Sequence, residues 1–252
     1  MRYFTGAMGW LSEWRRKRIL ARHRIDDALW QRATLRLRFL PPDAKLRDMA
    51  LLFLAEKEFT GTHDLAVTDE MRISIAAQAC LPVLELGLDW YSGWRGVIVY
   101  PGDFRVRREE MDEHGVVHAW DDELAGEAMP GGPVVLSWDA AAHDPLINVV
   151  IHEFAHKLDM LNGNADGMPP LHAGMDRAAW KRAFDEAYAG LCDAVERGRD
   201  TWLDPYAAEH ASEFFAVVSE AFFREGKETR RHYPDVYDQL KLFYRQDPAA
   251  RT

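Results

Sequence analysis

The sequence predicts an α+β fold, mainly helical, with a small and mostly antiparallel sheet. Three observations predict it. Apolar residues recur at helical spacing through the first third of the chain and again from about residue 146 onward. Between these stretches, short β-branched runs bounded by Gly and Pro replace that period. The order is helices, then strands, then helices, and not the strict alternation that builds a parallel α/β sheet.

The chain has 252 residues, 48% of them hydrophobic, and a formal net charge of −10. That composition fits a globular protein with one large core or two small ones. Residues 1–39 hold ten Lys/Arg against three Asp/Glu, so this basic segment stands apart from an otherwise acidic chain. It is expected to be a helical N-terminal segment, residues 1–40, that docks Trp10, Leu11, Trp14, Ile19 and Leu20 on a main domain spanning residues 41–252. No nucleic-acid motif accompanies the charge, and the acidic remainder would repel phosphate. No stretch approaches the roughly 20 apolar residues of a membrane helix. The first twenty residues lack the charge order of a secretion signal. Two isolated cysteines, Cys80 and Cys192, make no disulfide framework, so a cytoplasmic location is expected.

Asp26 and Asp27 open a helix over 28–39, and the Pro41-Pro42-Asp43 turn opens the next, with Leu46, Met49, Ala50, Phe53 and Leu54 on one face and Gly61 as its end. Thr68 is an N-cap for a helix over 71–81. Residues 96–101 and 132–138 read as strands. Residues 105–111 and 116–120 flank a hairpin turn at 112–115. Helices are predicted over 146–161, 176–197, 209–224 and 236–245. The strand at 134–138, just ahead of the first of these helices, is expected to be the sheet edge beside it.

That helix carries the run NVVIHEFAHKLD, with an H-E-x-x-H motif at residues 152–156. A spacing of four puts His152 and His156 one turn apart on the same face, so their ring nitrogens can converge on one metal ion. Glu153 lies about 100° around the helix. From there it reaches a water at the metal without taking a coordination site, which suits a general base. The apolar neighbours Val149, Val150, Ile151, Phe154 and Leu158 bury the helix, and buried polar side chains need partners. A zinc site of this kind takes a third protein ligand and leaves one position open. The metzincin continuation is excluded, because Asp159 and Asn162 stand where it needs Gly and His. The best source of the third ligand is the apolar helix over 209–223, where Glu209, Glu213 and Glu220 share one stripe. Periodicity alone leaves all three open.

The runs NVVIHEFAHKLD, Asp204-Pro205-Tyr206 and EFFAVVSEAFF (213–223) resemble the Mlc titration factor A family of zinc metallopeptidases. Residues 68–83, 97–104 and 132–138 and the tail 244–248 share the resemblance. It implies a zincin-like fold with an H-E-x-x-H helix beside the sheet. It also implies one zinc ion held by His152, His156 and Glu213, Glu153 as the base, and Tyr206 as a stabiliser of the transition state. The site is likewise similar to the gluzincin-like catalytic domain of anthrax lethal factor. The implied activity is aminopeptidase-type hydrolysis of a peptide substrate, and the implied partner is a transcriptional repressor of the Mlc type. Within that reading, the seven-residue step from Tyr206 to Glu213 favours Glu213, provided the turn at Pro205 leads straight into the helix. Glu209 would then sit in its first turn. Glu220 would lie about 10 Å further along the axis, within reach of a ligand's second nitrogen but not of the same ion.

Overall fold

The computed structural model describes residues 7–111, 117–143 and 147–251. The expected turn at 112–115 and the side chains of Trp10 and Leu11 lie outside the described set. α1 (Ala7–Arg22) carries the basic cluster. Its Ile19 and Leu20 lean on the core, whereas Trp14 stays 53% exposed instead of docking. Arg16 ties α1 down through Glu56 at 2.9 Å and Asp89 at 2.8 Å.

α2 (Asp27–Thr34) opens on Asp26, whose carboxylate accepts the Leu29 N–H. It stops short of residue 39, because tight turns close from Leu37 N–H to Thr34 O and from Leu40 N–H to Leu37 O ahead of the two prolines. α3 (Ala44–Glu56) is capped by Asp43 and ends before Gly61, where β1 (Glu58–Gly61) takes over. α4 (Asp69–Cys80) starts as predicted, with the Thr68 hydroxyl accepting the Met71 N–H, and every residue from Ile73 to Cys80 is buried. It is the central helix of the core.

The strands are β2 (Gly96–Tyr100), β3 (Phe104–Met111), β4 (Val117–Leu124), β5 (Gly126–Ala128) and β6 (Val134–Ser137). β3 and β4 form their own antiparallel pair, as expected. The remaining strands build a four-stranded sheet in the order β1-β2-β6-β5. This sheet is mixed, not mostly antiparallel. β1 and β6 both run parallel to β2, and β5 alone is antiparallel to its neighbour β6. The reason is chain length: β1, β2 and β6 are separated by connections long enough for crossovers, and only β5 reaches β6 through a short turn. The edge assignment changes too. β6 lies inside the sheet with Val134, Val135, Leu136 and Ser137 all buried, and the edge facing the next helix is β5.

After β6 come α5 (Trp138–His143), which buries no residue fully, and α6 (Val149–Asp159), every residue of which is buried. α7 (Arg177–Glu196), α8 (Ala211–Arg224), α9 (Gly226–His232) and α10 (Pro234–Tyr244) complete the helical part. α6 packs against α4, α8 and β5. Phe154 of α6 meets Phe53, Tyr91 and Trp94 at ring distances of 5.6, 5.1 and 5.7 Å. Phe214 and Phe215 of α8 pack on Phe184 of α7, and Phe222 and Phe223 on Tyr244 of α10. These aromatic pairs hold α8 at a fixed height beside α6. Among the described residues no helix is long and apolar enough to cross a membrane.

Candidate metal centre

α6 is placed first at its N-terminus. The Asn148 side-chain oxygen accepts the Ile151 N–H at 2.8 Å, capping the helix, while its amide group donates to Gln78 of α4 at 2.8 Å. The Asn148 backbone N–H donates to the Glu220 carboxylate of α8 at 2.6 Å. One residue thus pins α6 to α4 and to α8. Gln78 and Ser74 are the two buried polar residues of α4, and sequence reasoning missed this tie.

One turn further on, His152 and His156 project toward α8, where Glu213 meets them. His152 Nε2 lies 3.1 Å from His156 Nε2 and 3.1 Å from Glu213 Oε2, and His156 Nε2 lies 3.3 Å from the same oxygen. Among the described residues, these three form the group able to hold a metal ion. The spacing fits one: two donors at 2.0–2.1 Å from a tetrahedral zinc stand about 3.3 Å apart. The donor chemistry fits as well. Glu220 Oε1 lies 2.7 Å from His152 Nδ1. A proton on that nitrogen leaves the Nε2 lone pair directed at the centre. Burial disfavours a charge on His152, but hydrogen bonds to Glu213 and Glu220 and the negative charges of Glu220 and Glu153 outweigh it and raise its pKa well above the ordinary value. The same histidines pull the Glu213 carboxyl well below the usual range, against its burial. The pocket is built to stabilise positive charge.

Glu153 is buried, and its Oε2 has no hydrogen-bond partner among the described residues. Burial, opposed by His152 and assisted by Glu213, Glu127 and Glu220, pushes its pKa up to about 8. Gly126 of the edge strand covers it closely. A Cβ at that position would stand 2.5 Å from Glu153 Oε1 and 2.6 Å from Val149 Cγ2, so only glycine lets β5 come this near. The sequence offered no sign of this contact, since β5 is three residues long.

Tyr206 stands on a 3₁₀ turn (Pro205–Ala208) whose start is fixed by Asp204 accepting the Tyr206 N–H. Its ring lies 6.2 Å from that of His152, and the residue is 43% exposed at the mouth of the site. Burial, then the charges of Glu213, Glu209 and Glu153, raise its pKa. The path from Tyr206 to Glu213 is not the continuous helix that was expected. The turn ends at Ala208, and α8 begins anew at Ala211 with the His210 ring accepting the Ser212 N–H. Glu209 falls in the break, exposed and outside the helix, whereas Glu213 occupies the first turn. Among the described residues Glu220 joins no metal-ligating group, and it is held by His152 and Asn148. Asp159 accepts the Gly167 N–H at 2.8 Å, fixing the loop after α6.

Lys157, next to His156, is a further residue that sequence reasoning passed over. Its ammonium donates to Met129 O at 2.8 Å and Gly132 O at 2.9 Å, two carbonyls of the turn joining β5 to β6. The metal helix and the edge strand are therefore held in register by one side chain.

A family model described as glucose-regulated metallo-peptidase M90 matches residues 11–245. The uncharacterized protein slr2042 of Synechocystis is 36% identical over 256 residues, covering 98% of this chain and 93% of the relative. Proteins named Mlc titration factor A from Yersinia pestis and Yersinia pseudotuberculosis are each 37% identical over 217 residues, covering 84% of this chain and 80% of theirs.

Proposed function

This chain belongs to the glucose-regulated metallo-peptidase M90 family, and on that premise we propose that it is a zinc-dependent peptidase of aminopeptidase type. The observation that carries the reading is the convergence of His152, His156 and Glu213 at 3.1–3.3 Å with buried Glu153 beside them, whose Oε2 has no hydrogen-bond partner among the described residues. In this reading the two histidines and Glu213 hold the zinc. When bound, zinc polarises the scissile carbonyl and makes the attacking water more acidic. Glu153 takes the proton from that water and passes it to the leaving amine. Tyr206 donates its hydroxyl to the oxygen on which negative charge develops. Glu220 holds the His152 ring in the orientation and tautomer that ligation needs. The free edge of β5 offers main-chain groups to an extended peptide substrate. With Cys80 and Cys192 both free, a cytoplasmic setting agrees with this chemistry.

The test is metal content and turnover of aminoacyl and peptide substrates by wild type and Glu153→Gln. About one zinc per chain in both, with turnover lost in the variant, is the expected result. Equal turnover would remove Glu153 from the base role, and zinc retained by His152→Ala and His156→Ala would remove the site. A second reading rests on the name of the Yersinia relatives: a protein that sequesters a transcriptional repressor of the Mlc type, with hydrolysis secondary. It expects Glu153→Gln to keep full affinity for such a repressor in a calorimetric titration.

A further inference from the structure

The cleft at the metal centre continues past Glu153 into a pocket of about 550 Å³. His152, Glu153 and Tyr206 are among its lining residues, and apolar walls come from Val149 of α6, Val217 and Ala221 of α8, and Trp202 and Leu203 ahead of Tyr206. Glu213, Val217, Ala221 and Arg224 form the half-exposed stripe of an otherwise buried α8. The pocket therefore starts one turn beyond Glu213 and follows the helix for about 10 Å to Arg224. Of its carboxylates, Glu220 is engaged by His152 and Asn148, and the remaining acidic residues outnumber Arg224. An acidic side chain would be repelled there. Glycine or alanine would leave most of the space to water.

We propose that this pocket receives a bulky apolar side chain, that of the residue whose nitrogen leaves when the peptide bond is cut. Val217 and Ala221 set this preference. The inference rests on the peptidase reading and deepens it. In that reaction the water oxygen bonds to the carbonyl carbon, the C–N bond breaks, and the proton abstracted by Glu153 ends on the departing nitrogen. The departing residue must accordingly lie on the Glu153 side of the centre. Gly126, Val149 and Glu153 all line the pocket, so that side is where the pocket lies. Selectivity is thus read after the scissile bond as well as at the free amino terminus.

The experiment measures kcat/KM for a tripeptide series Ala-X-Gly, with X as Leu, Phe, Gly, Lys or Glu, using zinc-loaded wild type, Ala221→Phe and Val217→Ala. Wild type is expected to favour Leu and Phe over Gly by about tenfold or more, the range a hydrophobic pocket supplies. Ala221→Phe, which fills the pocket, should lower the Leu/Gly ratio about tenfold. Val217→Ala, which widens it and keeps the helix packing, should shift preference from Leu toward Phe. Equal rates for all X, a preference for Lys or Glu, or an equal fall for every substrate in a folded, zinc-loaded variant would overturn the assignment. If no peptide is cut by wild type, the peptidase reading fails. Calorimetric binding of leucine amide and glycine amide then decides the pocket: tighter binding of leucine amide that Ala221→Phe abolishes upholds it, and equal binding overturns it.

Discussion

In the proposed centre, Glu220 acts on the metal through His152 and not by ligating the ion. Its two oxygens serve His152 Nδ1 and the Asn148 N–H, so removing the carboxylate frees the imidazole and loosens the N-terminus of α6. Glu220→Gln should weaken zinc binding about 10–100-fold. Glu213→Ala should abolish it, and Glu209→Ala should leave it unchanged, as read by competition with a chromogenic chelator. Spacing in the sequence could not rank these glutamates, because the choice depends on where α8 begins. The His210 cap decides that, and nothing in the apolar period marks it. The H-E-x-x-H geometry was legible because it is wholly local to one helix. A second residue-scale effect belongs to Lys57, far from the metal. Its ammonium donates to Tyr91 O at 2.5 Å and Trp94 O at 2.7 Å, and burial pushes its pKa down to about 8, with Glu56 opposing. Between about pH 8 and the ordinary lysine value of about 10.4 the unfolded chain binds the extra proton, so this group makes stability rise with pH across that window. Lys57→Met should flatten that part of the rise in urea midpoints measured at pH 8 and pH 10. An unchanged slope would refute it.

At the scale of elements, β5 is the sheet edge that lies beside α6 and covers Glu153. Two contacts fix it: the Gly126 backbone against Glu153 and the Lys157 ammonium on the Met129 and Gly132 carbonyls. Gly126→Ala drives a methyl into Glu153 and Val149, and should destabilise the protein by about 1–3 kcal/mol. Turnover should fall with it, since Glu153 must move. Lys157→Met removes the ammonium from both carbonyls, leaving Met129 O with only the Gly132 N–H, and should speed amide exchange over residues 126–132 while α8 stays protected. Uniform loss of protection would instead mark Lys157 as a general core residue. Neither contact was legible beforehand. β5 and β1 are short and lack a β-branched run, reading only GEA and EFTG, and parallel pairing follows from where long connections run, which local pattern does not encode. The long helices and the β-branched runs of β2 and β6 were legible because each buries an unbroken apolar face.

Over the whole molecule, the centre joins α6 and α8 across a core that also includes α4, α7 and α10. A ligand that binds only the folded state stabilises it by about 4 kcal/mol when present at 1,000 times its Kd. For a chain of this size, with about 2–4 °C per kcal/mol, stripping the metal should lower Tm by roughly 10 °C. Differential scanning calorimetry with and without a chelator tests this, and a shift under about 2 °C would mean that the centre contributes little to folding. The tie from Gln78 to Asn148 to Glu220 has one more consequence, and it concerns time. Its members, like the metal donors, come from stretches far apart in the chain. At translation speeds of 5–20 residues per second, the histidines precede the glutamates out of the ribosome by on the order of ten seconds. During that interval the nascent chain has its two imidazoles but neither Glu213 nor the carboxylate that orients His152. The three donors therefore cannot close on one ion before α8 has emerged, so metal capture follows the synthesis of both helices instead of guiding the folding of α6 alone.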